Sequence, residues 1–263
     1  MSVSNVGLFA QIAKKTILGD GEGTTLWEKW TKKYDEKNIP RVDANLPLGI
    51  KIGSMIELDL LAAFVLGEGD YITPLFSGKG EVYAFGKINA ADSLEVYRFY
   101  IRAINQDFED YFLEFGLQNG EILSIILYSL YQELDLIESA DEPVNADGKA
   151  ALNHWLGDNS PLIGSKDFTI FMQDGRQINY IRIDSPNDNR VIRTEEKETL
   201  YDEPKDTELE YITNIVGEYA RAVDNTAFGN KEILIARLSE LKDSAYIQIF
   251  IGVEINKNQI RII

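Results

Sequence analysis

Ile247, Ile249, Ile251, Val253 and Ile255 alternate with Tyr246, Gln248, Phe250, Gly252 and Glu254. Successive side chains of a strand point to opposite faces, so this spacing predicts a strand with one wholly β-branched face that needs a core to cover it. Asn256 to Asn258 then turns the chain into a last short strand over 260–263. The same logic runs through much of the chain. Leu48, Ile50, Ile52, Ile56 and Leu58 share one parity, with Gly53 marking a bulge or bend. Strands are expected over 81–88 and 94–101, and a hairpin over 111–117 and 121–131 around Asn119-Gly120, both of which tolerate positive φ. A further hairpin, 168–172 and 178–183, is expected around Asp174-Gly175.

Helical spacing appears in three places. Leu8, Phe9, Ile12, Ala13, Thr16 and Ile17 share a face, and the glycines at 19, 21 and 23 end it. Thr25 and Glu28 have capping-box spacing ahead of Trp27, Trp30 and Tyr34. Thr207 and Glu210 repeat that spacing ahead of Tyr211, Ile212, Ile215, Val216, Tyr219, Ala220 and Val223. Residues 194–208, with Glu195, Glu196, Lys197 and Glu198, read as an exposed charged loop. The expected fold is therefore α+β: predominantly antiparallel sheet, with N-terminal helices and one amphipathic helix near 208–224. The expected organisation is a helical segment 1–41, a β-rich lobe 42–137, a linker 138–166 with a short helix, and a second β-rich lobe 167–263 carrying one helix.

Composition narrows the chemistry. The chain has 263 residues, no cysteine and one histidine, His154. That excludes disulfides, thiolate metal sites and a Cys nucleophile, and leaves His154 as the one imidazole a Ser-His-Asp site could use. His154 sits beside Trp155 in a short helical stretch, where packing is the commoner role. No Gly-x-Ser-x-Gly elbow exists, Gly19 to Gly23 lacks phosphate-loop spacing, and Gly78-Lys79 lacks the earlier glycine. Asn145 to Gly148 resembles a calcium-loop fragment that fails at both ends, Pro143 and His154. Carboxylate pairs such as Glu109 with Asp110 and Asp141 with Glu142 have no partner that marks one as acid and one as base. The aromatics Tyr83, Phe85, Tyr97, Phe99, Tyr100, Tyr111, Phe112 and Phe115 fit strand packing better than a binding face. No cofactor or metal is expected, and the sequence singles out no catalytic residue.

The net charge of -17 disfavours nucleic acid as a partner. The charge is uneven: residues 1–41 carry seven Lys/Arg and five Asp/Glu, against 19 and 38 in the remainder. The first 18 residues do not read as a secretion signal, because Lys14 and Lys15 interrupt their apolar stretch. Leu8, Phe9, Ile12, Lys14, Lys15 and Ile17 are the residues expected to contact an anionic membrane surface or a partner.

The run from Leu46 to Asp59 (LPLGIKIGSMIELD) resembles the opening of the YjfK-like family of bacterial proteins. Tyr97 to Tyr100 (YRFY) and Asp110 to Phe115 (DYFLEF) are similar in style to that family. The resemblance covers residues from about 45 onward and carries no catalytic residues with it. It implies an accessory role linked to membrane or envelope stress. Together these readings favour a non-enzymatic protein-binding module, cytoplasmic and able to reach the inner face of the membrane. The alternatives are peripheral attachment through the N-terminal amphipathic stretch, and a carboxylate-based or metal-assisted hydrolase.

Overall fold

The structure is a computed structural model that describes residues 40–60, 71–72, 77–89, 94–104, 110–136, 154–157, 162–184, 186–205, 210–223, 231–241 and 244–263. In chain order the strands are β1 (Met55–Leu58), β2 (Gly78–Asn89), β3 (Leu94–Ala103), β4 (Asp110–Gln118), β5 (Glu121–Asp135), β6 (Asp167–Phe171), β7 (Gln177–Arg182), β8 (Thr194–Tyr201), β9 (Glu210–Ala222), β10 (Lys231–Leu241), β11 (Ser244–Glu254) and β12 (Ile260–Ile262). Every pairing is antiparallel. The order β2-β3-β4-β5-β11-β10-β9-β8 returns to β2 through the β8–β2 pairing, which closes an eight-stranded barrel. The remaining strands lie outside the closed barrel. β1 pairs with β2 beyond the stretch used by β8 and carries β12 on its other side. β7 pairs with the far end of β9 and carries β6.

Closure explains why so many strands are buried on both faces. On β11, Ile247, Ile249, Ile251 and Val253 point outward and Tyr246, Gln248 and Phe250 point into the lumen, and all seven are buried. Two outer layers cover the barrel. One packs Leu46, Ile50 and β1 residues Ile56 and Leu58 over Phe85, Phe99, Leu113 and Leu127. The other packs Trp155, Ile163 and the β6–β7 hairpin residues Phe168, Ile170 and Tyr180 over Leu234, Ala236, Ile247 and Ile249. The apolar part of the lumen is aromatic: Tyr100, Phe112, Tyr128, Tyr246 and Phe250, with Ile212, Val216 and Ile235. Phe112 stacks on Tyr128 at 4.8 Å and meets Phe250 edge-on at 5.0 Å.

The expected hairpins form. Asn119 and Gly120 turn β4 into β5 with φ of 53° and 81°, the positive values that a tight two-residue turn needs. The α+β expectation is overturned. Among the described residues helical geometry is confined to one-turn stretches at Pro47–Gly49, Lys257–Gln259 and 154–156. The helix expected near 208–224 is strand β9, with ten residues in register against β10. Its apolar residues mimic a helical period because both faces are covered: Ile212 and Val216 face the lumen, while Ile215 and Tyr219 face the outer layer. The charged loop expected over 194–208 contains strand β8, which seals the barrel. The N-terminal helices expected within 1–41 lie outside the described residues.

Candidate functional site: the charged lumen

Alternation along β3 sends Arg98 and Tyr100 inward, on the opposite side from Phe99 and Ile101. The neighbouring strands send Glu114 (β4), Glu196 and Glu198 (β8) and Asn214 (β9) to the same space. Arg98 uses each of its nitrogens on a different carboxylate: Nε on Glu114 at 2.8 Å, Nη2 on Glu196 at 3.0 Å and Nη1 on Glu198 at 3.0 Å. Glu198 is fully buried and also accepts from the Tyr100 hydroxyl at 2.5 Å and from Asn214 Nδ2 at 3.3 Å. The network continues through Ser239, which donates to Asn214 Oδ1 at 2.7 Å and to Gln248 Oε1 at 3.3 Å. Gln248 Nε2 then donates to Glu133 Oε2 at 2.5 Å. Gly86 makes room for this arrangement, because a Cβ there would lie 1.7 Å from Glu198 Oε1.

Three carboxylates on one guanidinium leave an excess of negative charge. Burial alone would lower the Arg98 pKa, but Glu196, Glu114 and Glu198 outweigh it and hold the group above its usual value. Burial raises the Glu114 carboxyl, and Arg98 only partly opposes the shift. Glu218, on the lumen face of β9, stands at the mouth. It keeps accessible surface, yet the surrounding barrel wall strips much of its hydration and Glu114 and Glu196 add like charge; its pKa is pushed up to about 7. The Tyr100 hydroxyl is raised by burial and by Glu198.

A pH dependence follows. A carboxyl whose folded pKa exceeds its unfolded value binds its proton more tightly when folded. The stability Glu218 contributes is fully present below its unfolded pKa of about 4.3 and is lost as pH rises through about 7. Urea midpoints of the wild type should therefore fall between about pH 5 and pH 8, and Glu218→Gln should flatten that fall. Parallel profiles for the two proteins would count against the assignment.

Other charged residues serve as ties. Arg182 of β7, buried, donates to the carbonyls of Gly164, Arg190 and Asp188 at 2.7–2.8 Å and pins two loops. Glu232 accepts from Tyr180, Arg221 and the Ile72 amide, which joins β7, β9 and the segment at 71–72. A shallow cleft of about 220 Å³ lies outside the barrel, lined by Arg41, Leu46, Phe85, Lys87, Tyr97 and Tyr201 among others. Its two cations are already paired, Arg41 with Asp43 and Lys87 with Glu95, both at 2.7 Å.

Leu8, Phe9, Ile12, Lys14, Lys15 and Ile17 lie outside the described residues, as do Glu109, Asp141 and Glu142. His154 is exposed, 6.1 Å from the Trp155 ring. Among the described residues no group of three or more His, Asp or Glu is placed to hold a metal ion, and no helix is long and apolar enough to cross a membrane. The lumen residues were missed at the sequence level. Their signal is a charged residue on the same parity as buried aromatics, as Arg98 is with Tyr100.

No curated protein and no solved structure matches the chain. A family described as a protein of unknown function, DUF2491, matches residues 26–261, nearly the whole chain. The chain therefore belongs to the DUF2491 family.

Proposed function

We propose that the chain is a non-catalytic protein-binding module that docks its partner on the β6–β7 hairpin. The observation that carries this reading is a pair of large apolar side chains exposed at the two ends of that hairpin's outer face, which between them carries Asp167, Thr169, Gln177 and Asn179. Phe171 is 70% exposed and Ile181 50% exposed, on the same face and at opposite ends of the register, with Ile183 just beyond. Among the described residues β6 pairs only with β7, so its other edge can accept a strand from another chain.

Charge supports a partner segment that is extended, apolar and basic. The chain carries -17, and Asp184 and Glu218 lie beside Ile183, whose amide donates to the Glu218 carbonyl at 3.0 Å. The commitment of Arg98, Arg182 and Glu232 to structural ties supports a role without catalysis. The resemblance to YjfK-like proteins supports a partner belonging to the response to membrane or envelope stress.

The test is capture from native cells by tagged full-length chain. The wild type should retain a stoichiometric partner, and the double variant Phe171→Asp with Ile181→Asp should retain at least about tenfold less while keeping its fold, because both side chains point to solvent. Equal capture by the folded variant, or no stoichiometric partner for the wild type, would overturn the proposal.

A further inference from the structure

Three arginines are almost completely buried: Arg98, Arg182 and Arg237. The first is surrounded by carboxylates, and the second donates to backbone carbonyls and pairs with Asp184 at 2.9 Å. Arg237, on the lumen face of β10, is different. Its Nε donates to Gln248 Oε1 at 3.0 Å, and neither Nη1 nor Nη2 has a hydrogen-bond partner among the described residues. The guanidinium lies 4.5 Å from the Phe250 ring centroid and 5.8 Å from that of Phe112. Ring contact attracts a cation but satisfies none of its N–H donors.

We propose that Arg237 anchors a small-oxyanion site inside the barrel, taking a carboxylate of formate or acetate size on its two Nη groups. The Phe250 ring lies against the guanidinium, and the N–H donors point in the guanidinium plane, so an acceptor must approach in that plane. There the paired Nη donors match the two oxygens of a carboxylate. The size limit comes from the barrel, because eight strands enclose little more space than side chains fill. Glu133 is linked to Arg237 through Gln248, and Glu114, Glu196 and Glu198 are held by Arg98.

Those carboxylates also set the pH dependence. Glu114 (β4), Glu133 (β5), Glu196 and Glu198 (β8) and Glu218 (β9) face the lumen with Arg98 (β3), Tyr100 (β3) and Tyr128 (β5). This excess of acidic groups resists an anion at Arg237. Protonation at the mouth relieves this, in keeping with the raised pKa values of Glu114 and Glu218. Binding of the oxyanion is thus coupled to proton uptake and tightens as pH falls below about 7.

The experiment uses the full chain with sodium formate, against sodium chloride at equal ionic strength. At about pH 6 and about 100 mM formate, Tm should rise by roughly 2–4 °C over chloride, and the rise should shrink by about pH 8. Saturation transfer from protein to the formate C–H should report binding under the same conditions. Both signals should vanish in Arg237→Met, which keeps the volume and removes the fork. A second readout needs no variant: the Arg237 Nη signals of the ¹⁵N-labelled wild type should move on adding formate, while those of Arg98 stay in place. Absent transfer at about pH 6, unmoved Arg237 signals, or equal transfer to folded Arg237→Met would each overturn the site. Hydration of Arg237 by water alone produces the first two of these results.

Discussion

Arg98→Met lowers the stability of the barrel by about 4 kcal/mol, one of the two largest effects expected of any single change described above. The reason is what stays behind. Glu198 is fully buried and the side chains of Glu114 and Glu196 are each 14% exposed, so three carboxylates lose their one shared cation in a space that water barely reaches. Breaking a buried ion cluster by removing one member typically costs about 3–5 kcal/mol, against a total stability of about 5–15 kcal/mol for ordinary domains. The stranded carboxylates can recover neutrality only by taking up protons, so the variant should regain stability as pH falls. Adding Glu198→Gln should restore part of the loss through the same removal of charge. Urea unfolding at two pH values measures all of this. A single variant within about 1 kcal/mol of the wild type would show that the cluster contributes little.

Gly86→Ala ranks beside it, at about 3 kcal/mol. The new methyl would fall 1.7 Å from Glu198 Oε1 and 2.6 Å from its Cδ. A flexible surface carboxylate would swing away, but this one is held by Arg98, Tyr100 and Asn214. Gly86 is also paired with Arg98 on β3 and with Leu200 on β8, so backing the methyl away means opening the seam that closes the barrel. Shortening the acid should help: Gly86→Ala with Glu198→Asp is expected to be more stable than the sum of the two single losses implies. Strict additivity, or a Gly86→Ala protein as stable as the wild type, would refute the steric account.

These two residues show where the sequence could be read and where it could not. Hairpins were legible because their information is local. Asn119-Gly120 and Asp174-Gly175 specify turns, and the flanking strands alternate. The strand at 244–254 was legible for the same reason. Barrel closure was not, because it rests on the pairing of β8 with β2, more than a hundred residues apart. Without closure, Glu196 and Glu198 look like solvent residues; with it, they are interior groups that answer Arg98. The mistaken helix has the same origin. Ile212, Ile215, Val216 and Tyr219 suggest one apolar stripe, but they belong to two faces, and a strand apolar on both faces loses its period of two. His154 drew attention by residue type alone and is exposed beside Trp155, while Glu109, Asp141 and Glu142 lie outside the described residues.

The pairing of β1 with β12 matters during synthesis. Ile56 opposes Ile262 and Leu58 opposes Ile260, so partners about 200 residues apart in the chain share one ladder. β1 reaches the ribosome's exit long before its second neighbour exists, and it waits with one edge open while the barrel is completed. Such distant contacts are formed late and at large entropic expense, which puts the chain among slow folders. During that interval the unpaired side of β1 is a surface on which other nascent chains can add, so crowding of translating ribosomes should lower the yield of native protein more than any weakness of the finished barrel.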